Sequence, residues 1–256
     1  MQQDYAGKTV LVTGGNSGMG KATALLFARR GAQVAVAARR ASELDEVVAE
    51  ISGFGGAAIG IPTDIADPEQ VSAMVEQVVS RFGKLDVAFN NAGVMGGWGP
   101  IEELTPEDFD RTINVNLRGT WLCARAEIAQ MKRQGHGGAL VNTSSWLAHG
   151  VLKGSGLYSA TKAGLDSLVR ALALECADLG IRINNVNPGV IDTPMMRGST
   201  TEETLKPFVA HTPMHRVGTS EEIAEVVVWL CSSGASFVTG QNLLVDGGHA
   251  IPGNRS

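Results

Sequence analysis

A phenol and an ammonium stand four residues apart in Tyr158-Ser159-Ala160-Thr161-Lys162, at the head of an apolar helical pattern through Leu165, Leu168 and Leu172. On a helix this spacing puts both groups on one face. A free phenol titrates near pH ~10, too high to exchange protons efficiently at neutrality. A neighbouring cation stabilises the phenolate and lowers that value. The pair therefore suits acid–base chemistry. The other tyrosine of the chain, Tyr5, precedes the first strand-like run and reads as a packing residue. Two hydroxyls, Ser144 and Ser145, follow the apolar run Ala139–Thr143.

A second constellation lies near the start of the chain. The first strand-like run leads into Thr13-Gly14-Gly15-Asn16-Ser17-Gly18-Met19-Gly20, and a helical pattern follows to about Arg30. Glycines let the chain turn tightly and bring bare backbone N–H groups close to a diphosphate, and the helix N-terminus adds a favourable dipole. The spacing is TGxxxGxG. Its place between strand and helix makes Gly14, Asn16, Ser17, Gly18, Met19 and Gly20 a candidate dinucleotide cradle. The end of the second strand bears on the nicotinamide used. An acid there would hold the 2′-hydroxyl of the adenosine ribose and repel a 2′-phosphate. The sequence instead reads Val36-Ala37-Ala38-Arg39-Arg40, with no acid until Glu43. Arginine pairs a phosphate bidentately, so Arg39, with Arg40 beside it, favours NADP(H) and leaves NAD(H) possible.

These groups need a scaffold, and the chain alternates short β-branched runs with longer helical patterns, the signature of a parallel sheet covered on both faces. Expected strands are Thr9–Val12, Gln33–Ala37, Ala57–Ile61, Leu85–Phe89, Ala139–Thr143, Ile181–Val186 and Asn242–Val245. Asp67-Pro68 opens the clearest helix, with apolar residues at Val71, Met74, Val75, Val78 and Val79. No linker or repeat divides the chain, so the expectation for 1–256 is one Rossmann-like, doubly wound α/β domain of about seven parallel strands. Ser144-Ser145 and Asn90-Asn91-Ala92-Gly93 then share the carboxyl edge, where open α/β sheets bind ligands. Pro188–Gly218 carries prolines 194, 207 and 213 and little periodicity. Such a stretch is expected to be irregular and functional, a lid around 190–217.

Composition removes other classes. The formal charge of −5 and the lack of a basic stretch argue against nucleic acid. No apolar run is long enough for a membrane helix, and the N-terminus does not read as a secretory signal. Cys123, Cys176 and Cys231 are odd in number and widely spaced, which fits a reducing cytoplasm better than a disulfide framework. The histidines and cysteines show no metal-ligand spacing, so no metal is expected.

Taken in order, Thr13–Gly20, Asp64, Asn90–Gly93, Asn116, Ser145, Tyr158–Lys162, Asn187-Pro188-Gly189, Thr239-Gly240-Gln241 and Val245-Asp246-Gly247-Gly248 resemble the short-chain dehydrogenase/reductase family over essentially the whole length. The family's serine stands thirteen residues before the tyrosine, which selects Ser145 over Ser144. The resemblance implies a carbonyl–alcohol oxidoreductase. Tyr158 would exchange the proton during hydride transfer and Ser145 would hydrogen-bond the substrate oxygen. Lys162 would hold the nicotinamide ribose, and Asn116 would break its helix and hold a relay water. It further assigns Asp64 and Ile65 to the adenine, Asn91 with Ala92 and Gly93 to the adenosine-side ribose region, and Ile191 and Thr193, after Pro188-Gly189, to the carboxamide.

Two alternatives belong beside this reading. Family members that reduce an enoyl C=C bond usually space tyrosine and lysine more widely. A non-catalytic NADP(H)-sensing regulator would be marked by loss of the tyrosine, lysine or serine. The resemblance also implies a homotetramer, packed through helices around Asn116–Met131 and Ser159–Cys176 and through the C-terminal region. The motifs leave the substrate, a small carbonyl or alcohol, unnamed. Met195, Met196, Leu205, Phe208 and Met214, facing Met95, Trp98, Trp146 and Leu152, fit either a roomy apolar pocket or the packing of this segment against the body or a neighbouring subunit.

Overall fold

The first apolar run forms β1 (Thr9–Thr13), buried along its whole length. Its side chains alternate between two cores. Val10 and Val12 join one cluster with Phe27, Val34, Val36 and Val227, while Leu11 joins the other with Ala35, Met74, Leu140 and Ile183. A strand covered on both faces has no solvent side, so it carries no polar alternation. The computed structural model describes residues 4–251.

The remaining strands are β2 (Gln33–Ala38), β3 (Ala57–Pro62), β4 (Val87–Asn90), β5 (Gly138–Thr143), β6 (Ile181–Pro188) and β7 (Asn242–Val245). They form a seven-stranded sheet in the order β3-β2-β1-β4-β5-β6-β7, parallel at every pairing. Helices α1 (Gly18–Arg29) and α2 (Ala41–Gly53) cover one face; α3 (Pro68–Phe82) covers the other. After α4 (Pro106–Ile113), α5 (Thr120–Gln134) and α6 (Gly156–Cys176) join α3, and α9 (Ser220–Cys231) lies beside α1. Strand order reverses between β1 and β4, which opens the crevice where such sheets take ligands. Tyr5 is buried, as expected of a packing residue, and its hydroxyl donates to the Val228 carbonyl at 2.5 Å. Asp67 caps α3 by accepting from the Glu69 and Gln70 N–H groups.

Two expectations are corrected. The fourth strand begins at Val87 rather than Leu85. Before it, the Asp86 carboxylate accepts from the Thr9 backbone N–H and pairs with Lys8 and Lys84. The Pro188–Gly218 stretch is helical rather than irregular, with α7 (Pro194–Ser199) and α8 (Glu202–His211). Thr193 caps α7, and a Thr201–Thr204 capping box starts α8. Pro207 lies inside α8, where it removes one helical donor and obscures the period. The base of the segment is held by an Ile191–Gly218 bridge and by the ion pairs Arg197–Asp192 and Arg216–Glu222.

A polar row crosses the otherwise apolar sheet. Asn90, Asn142, Asn185 and Asn242 occupy paired positions on β4 to β7. Their amides join in sequence: Asn90 Nδ2 donates to Asn142 Oδ1 (3.1 Å), Asn142 Nδ2 to Asn185 Oδ1 (3.0 Å) and Asn185 Nδ2 to Asn242 Oδ1 (2.8 Å). Helices contribute carboxyls to the row, Glu127 to Asn90 and Asp166 to Asn185.

Candidate active site

Strand β5 ends at Thr143, and the next two residues diverge in role. Ser144 Oγ donates to the Lys162 carbonyl at 3.1 Å, which ties α6 to the sheet edge. The Ser145 Oγ accepts from Leu147 N (3.1 Å) at the start of a short 3-10 turn, and it lines the same pocket as Tyr158. The structure thus separates two serines that strand position alone leaves equivalent.

Tyr158 lies in the first turn of α6, with Lys162 one turn further on. Lys162 Nζ is 5.6 Å from the Tyr158 ring centroid and donates to the Thr143 carbonyl at 2.7 Å. Burial brings the ammonium down to about 8, opposed by the Asp166 charge. Burial also pushes the Tyr158 phenol up, partly offset by the Ser145 hydrogen bond. This differs from the expectation that the lysine lowers the tyrosine pKa. The ammonium is committed to a backbone carbonyl and both groups are desolvated, so burial outweighs the cation. The protein alone holds a protonated phenol.

Asn116 lies in a π-helical turn, Asn114–Gly119, between α4 and α5, so the helix breaks where the resemblance implies. Its side chain clamps Val94 both ways, accepting from Val94 N and donating to Val94 O, each at 2.8 Å. This anchors the Asn90–Gly93 exit from β4. Asn91 is likewise occupied structurally: its Nδ2 donates to Gly14 O (3.3 Å) and its Oδ1 accepts from Thr143 Oγ1 (3.2 Å).

Along the crevice runs a cleft of about 340 Å³. Gly14, Asn16, Ser17, Gly18, Met19, Arg39, Arg40, Asp64, Ile65, Asn91, Ala92, Gly93 and Thr193 all line it, as expected. Gly20 lies under the turn, where a Cβ would come 2.1 Å from the Gly14 oxygen. Ser17 at the N-cap of α1 makes no side-chain hydrogen bond to the first turn, which also carries no acid. Uncapped N–H groups at a helix start suit an anion, so the cradle fits a dinucleotide diphosphate. The two arginines differ. Arg40 is engaged by Glu43 through both Nε and Nη2, and Glu43 also accepts from Asn16 Nδ2 at 2.5 Å. Arg39 is exposed at the cleft, with no hydrogen bond or ion pair among the described residues. The sequence shows Glu43 but not that it neutralises Arg40.

A pocket of about 480 Å³ adjoins this cleft, sharing Met19, Thr193 and Met195 with it. Ser145 and Tyr158 open into it, with Met95, Trp98, Trp146, Leu152, Pro188, Gly189, Ile191, Met196, Leu205 and Phe208. No charged side chain lines it among the described residues. The Trp98 ring lies 6.4 Å from that of Tyr158. Met214 is corrected: it is exposed, packs near Gly247 and lies outside the pocket lining. His249, which no motif marks, is buried and meets the Trp146 ring edge-on at 4.5 Å.

Comparison with known proteins agrees with this geometry. A family model described as enoyl-(acyl carrier protein) reductase matches residues 14–250. Cyclohexanol dehydrogenase of Acinetobacter sp. (strain SE19) is 42% identical over 249 residues, 97% of each chain. A short-chain type dehydrogenase/reductase from Mycobacterium marinum superposes with a TM-score of 0.92 at 35% identity, covering 98% of each chain. A 7α-hydroxysteroid dehydrogenase, solved with NADH and 7-oxo glycochenodeoxycholic acid, gives 0.92 at 33% identity over 96% of each. The cradle at the switch point and the adjoining pocket thus belong to a Rossmann-like, nicotinamide-dependent oxidoreductase that interconverts carbonyls and alcohols. The chain belongs to the short-chain dehydrogenase/reductase family.

Proposed function

We propose that this enzyme reduces apolar cyclic or aryl ketones, or oxidises the corresponding secondary alcohols, with NADP(H) favoured over NAD(H). The observation that carries the reading is that Ser145 and Tyr158 line one pocket together, with methionines and tryptophans around them and no charged side chain among the described lining residues. A bound nicotinamide supplies or accepts the hydride. Tyr158, protonated in the free protein, gives its proton to the substrate oxygen in reduction and takes it back in oxidation. Ser145 donates to the same oxygen and stabilises the charge that develops there. Lys162, whose ammonium donates to the Thr143 carbonyl, would also hold the nicotinamide ribose. The Asn116 side chain is spent on Val94 and its carbonyl accepts from Thr120 Oγ1 at 2.9 Å, so a relay water would take the second lone pair of that carbonyl. Asp64 and Ile65 would hold the adenine, and Ile191 and Thr193 the carboxamide.

The substrate preference rests on the lining. Hydroxyls of Ser145, Tyr158, Ser199 and Thr204 also line the pocket, but its methionines, tryptophans, Leu205 and Phe208 offer an apolar ring more contact than they offer a polyol. Residues 190–217 act as the lid, closing α7 and α8 over the site and excluding water. In a panel of ketones, cyclohexanone-type and aryl ketones should show higher kcat/KM than open-chain sugars. Backbone hydrogen exchange in α7 and α8 should slow when NADP(H) and ketone bind together. A preference for sugars with equal exchange in both states would overturn the pocket and lid readings.

The NADP(H) preference rests on Arg39, whose guanidinium is unpaired at the cleft while Arg40 is neutralised. Arg39→Asp should raise the KM for NADPH at least about tenfold more than that for NADH, the loss of one charge-assisted phosphate contact. An unchanged ratio would assign the 2′-phosphate elsewhere.

The proposed assembly is a homotetramer in the cytoplasm. Ile113, Leu117, Trp121 and Leu168 line a surface groove together with Arg118, Gly164 and Ser167, and Trp229, Phe237 and Leu244 are exposed elsewhere. The three buried free thiols suit a reducing compartment.

The enoyl-reductase and sensor alternatives find less support. The Tyr158–Lys162 spacing is that of carbonyl-acting relatives, and all three side chains a sensor would lose are present.

A further inference from the structure

Behind the Tyr158–Lys162 pair lies a buried carboxylate that the reaction above does not use. Asp166, one helical turn beyond Lys162 on α6, is 4% exposed. Its Oδ1 accepts from Asn185 Nδ2 at 3.1 Å, and its Oδ2 accepts from Asn187 Nδ2 at 2.8 Å. His149 Nε2 meets the same Oδ2 at 3.0 Å. The Asn187 amide also donates to the Ser145 carbonyl at 3.1 Å. His149 closes the 3-10 turn that Ser145 opens. One carboxylate therefore holds both ends of the short segment that carries Ser145.

We propose that Asp166 is a positioning residue for this active site: it fixes the Ser145–His149 turn, and with it the Ser145 hydroxyl against Tyr158, and it supplies the negative charge that faces Lys162. This rests on the acid–base reading of Ser145, Tyr158 and Lys162. The site requires a carboxylate. Both Asp166 oxygens accept from N–H donors, so an amide there would set its own NH2 against another donor. Relief is available only if Asn187 turns its oxygen, which has no partner in the present arrangement, toward the new NH2. That rotation gives up the bond to Ser145.

The titratable side chains facing Asp166 are few. Lys162 approaches from its own helix and His149 from the turn after β5. Strands β6 and β7 present the neutral amides of Asn185, Asn187 and Asn242, the last donating to the Asp166 backbone carbonyl at 3.0 Å. Without the Asp166 charge, burial alone acts on Lys162, and the ammonium is lost at lower pH.

The test is Asp166→Asn, measured by steady-state kinetics across pH and by NADPH fluorescence titration. The kcat should fall by about tenfold to a hundredfold, as expected when a reacting group is misplaced. NADPH affinity should stay within about threefold of wild type, since the cradle is untouched. The alkaline limb of the kcat profile should move to lower pH, which a merely structural defect would not produce. An unchanged kcat and profile overturns the proposal, and so does a loss of kcat matched by an equal loss of NADPH binding.

Should Asp166→Asn fail to fold, His149→Ala asks the same of the half-exposed end of the turn. It should lower kcat about threefold to tenfold at constant NADPH affinity, and an unchanged kcat is the refuting result. Near-normal activity in Tyr158→Phe would refute the acid–base reading itself. A dead Tyr158→Phe beside a normal Asp166→Asn would refute the positioning role alone.

Discussion

Tyr158→Phe should bind NADPH as the native enzyme does and turn over about a thousandfold more slowly or worse, near the upper range for loss of a general acid. The substitution deletes one hydroxyl and leaves the ring beside Trp98, so the pocket keeps its shape. What disappears is the proton that burial keeps on the phenol. Ser145→Ala should lose about a hundredfold in kcat, the scale for one donor to a developing oxyanion. Ser144→Ala should be far milder, because its hydroxyl is spent on the Lys162 carbonyl at 3.1 Å. Single-turnover hydride transfer, followed at 340 nm with saturating NADPH, separates these effects from binding. Near-native rates in the phenylalanine variant, or the reverse order of the two serines, would refute the assignment.

The second large effect concerns stability. Glu127, on α5, is completely buried. Burial raises its carboxyl from 4.5 to about 7, and the hydrogen bond from Asn90 only partly opposes the shift. Glu127 Oε1 and Asn90 Oδ1 both lack a donor, and a proton on Glu127 provides one. The sign follows from linkage. Below pH 4.5 the carboxyl is protonated in both folded and unfolded chains and costs nothing. As pH rises toward 7 the unfolded chain releases its proton while the folded chain retains it, so stability falls. Above about 7 the full penalty, on the order of 3 kcal/mol, is in place.

Glu127→Gln should remove it, because a glutamine still accepts from Asn90 Nδ2 and has no proton to lose. Thermal melting from pH 5 to pH 8 should show the variant gaining steadily on the native protein and exceeding it by several degrees at pH 8. Parallel curves, or a less stable variant at pH 8, would show that the carboxyl is not held neutral.

Most of the sheet was legible because strands buried on both faces announce themselves as runs such as Val10-Leu11-Val12. The start of α3 was equally plain, since Asp67-Pro68 is both cap and first-turn residue. The glycine turn and the Tyr158–Lys162 spacing were readable for the same reason: each is local, and its chemistry follows from residue type and interval. What was hidden depends on groups distant in sequence. Whether Arg39 or Arg40 remains available is settled by where the Glu43 side chain turns. The helices α7 and α8 lay behind Pro207 and threonine caps that resemble loop composition. Spacing shows that Lys162 lies near Tyr158 but shows neither the desolvation of the pair nor the Thr143 carbonyl that takes the ammonium. Asp166 stood four residues beyond Lys162 in plain view, but its partners come from β6 and from the turn after β5.

The asparagine row has a consequence for how the chain assembles. Hydrophobic strands of similar composition can slide past one another at modest cost, since valine against leucine is nearly as good as valine against valine. A slip of one residue between β4 and β5 would turn each asparagine of one strand to the opposite side of the sheet. The amides would then meet aliphatic neighbours with their donors and acceptors unmatched, a cost of about 1–3 kcal/mol for each group left unpaired. The row therefore works as a key that admits one alignment of four strands. That alignment also brings the ends of β4, β5 and β6 level at the crevice, so the fidelity of strand pairing and the placing of Ser145 beside Tyr158 are settled in the same event.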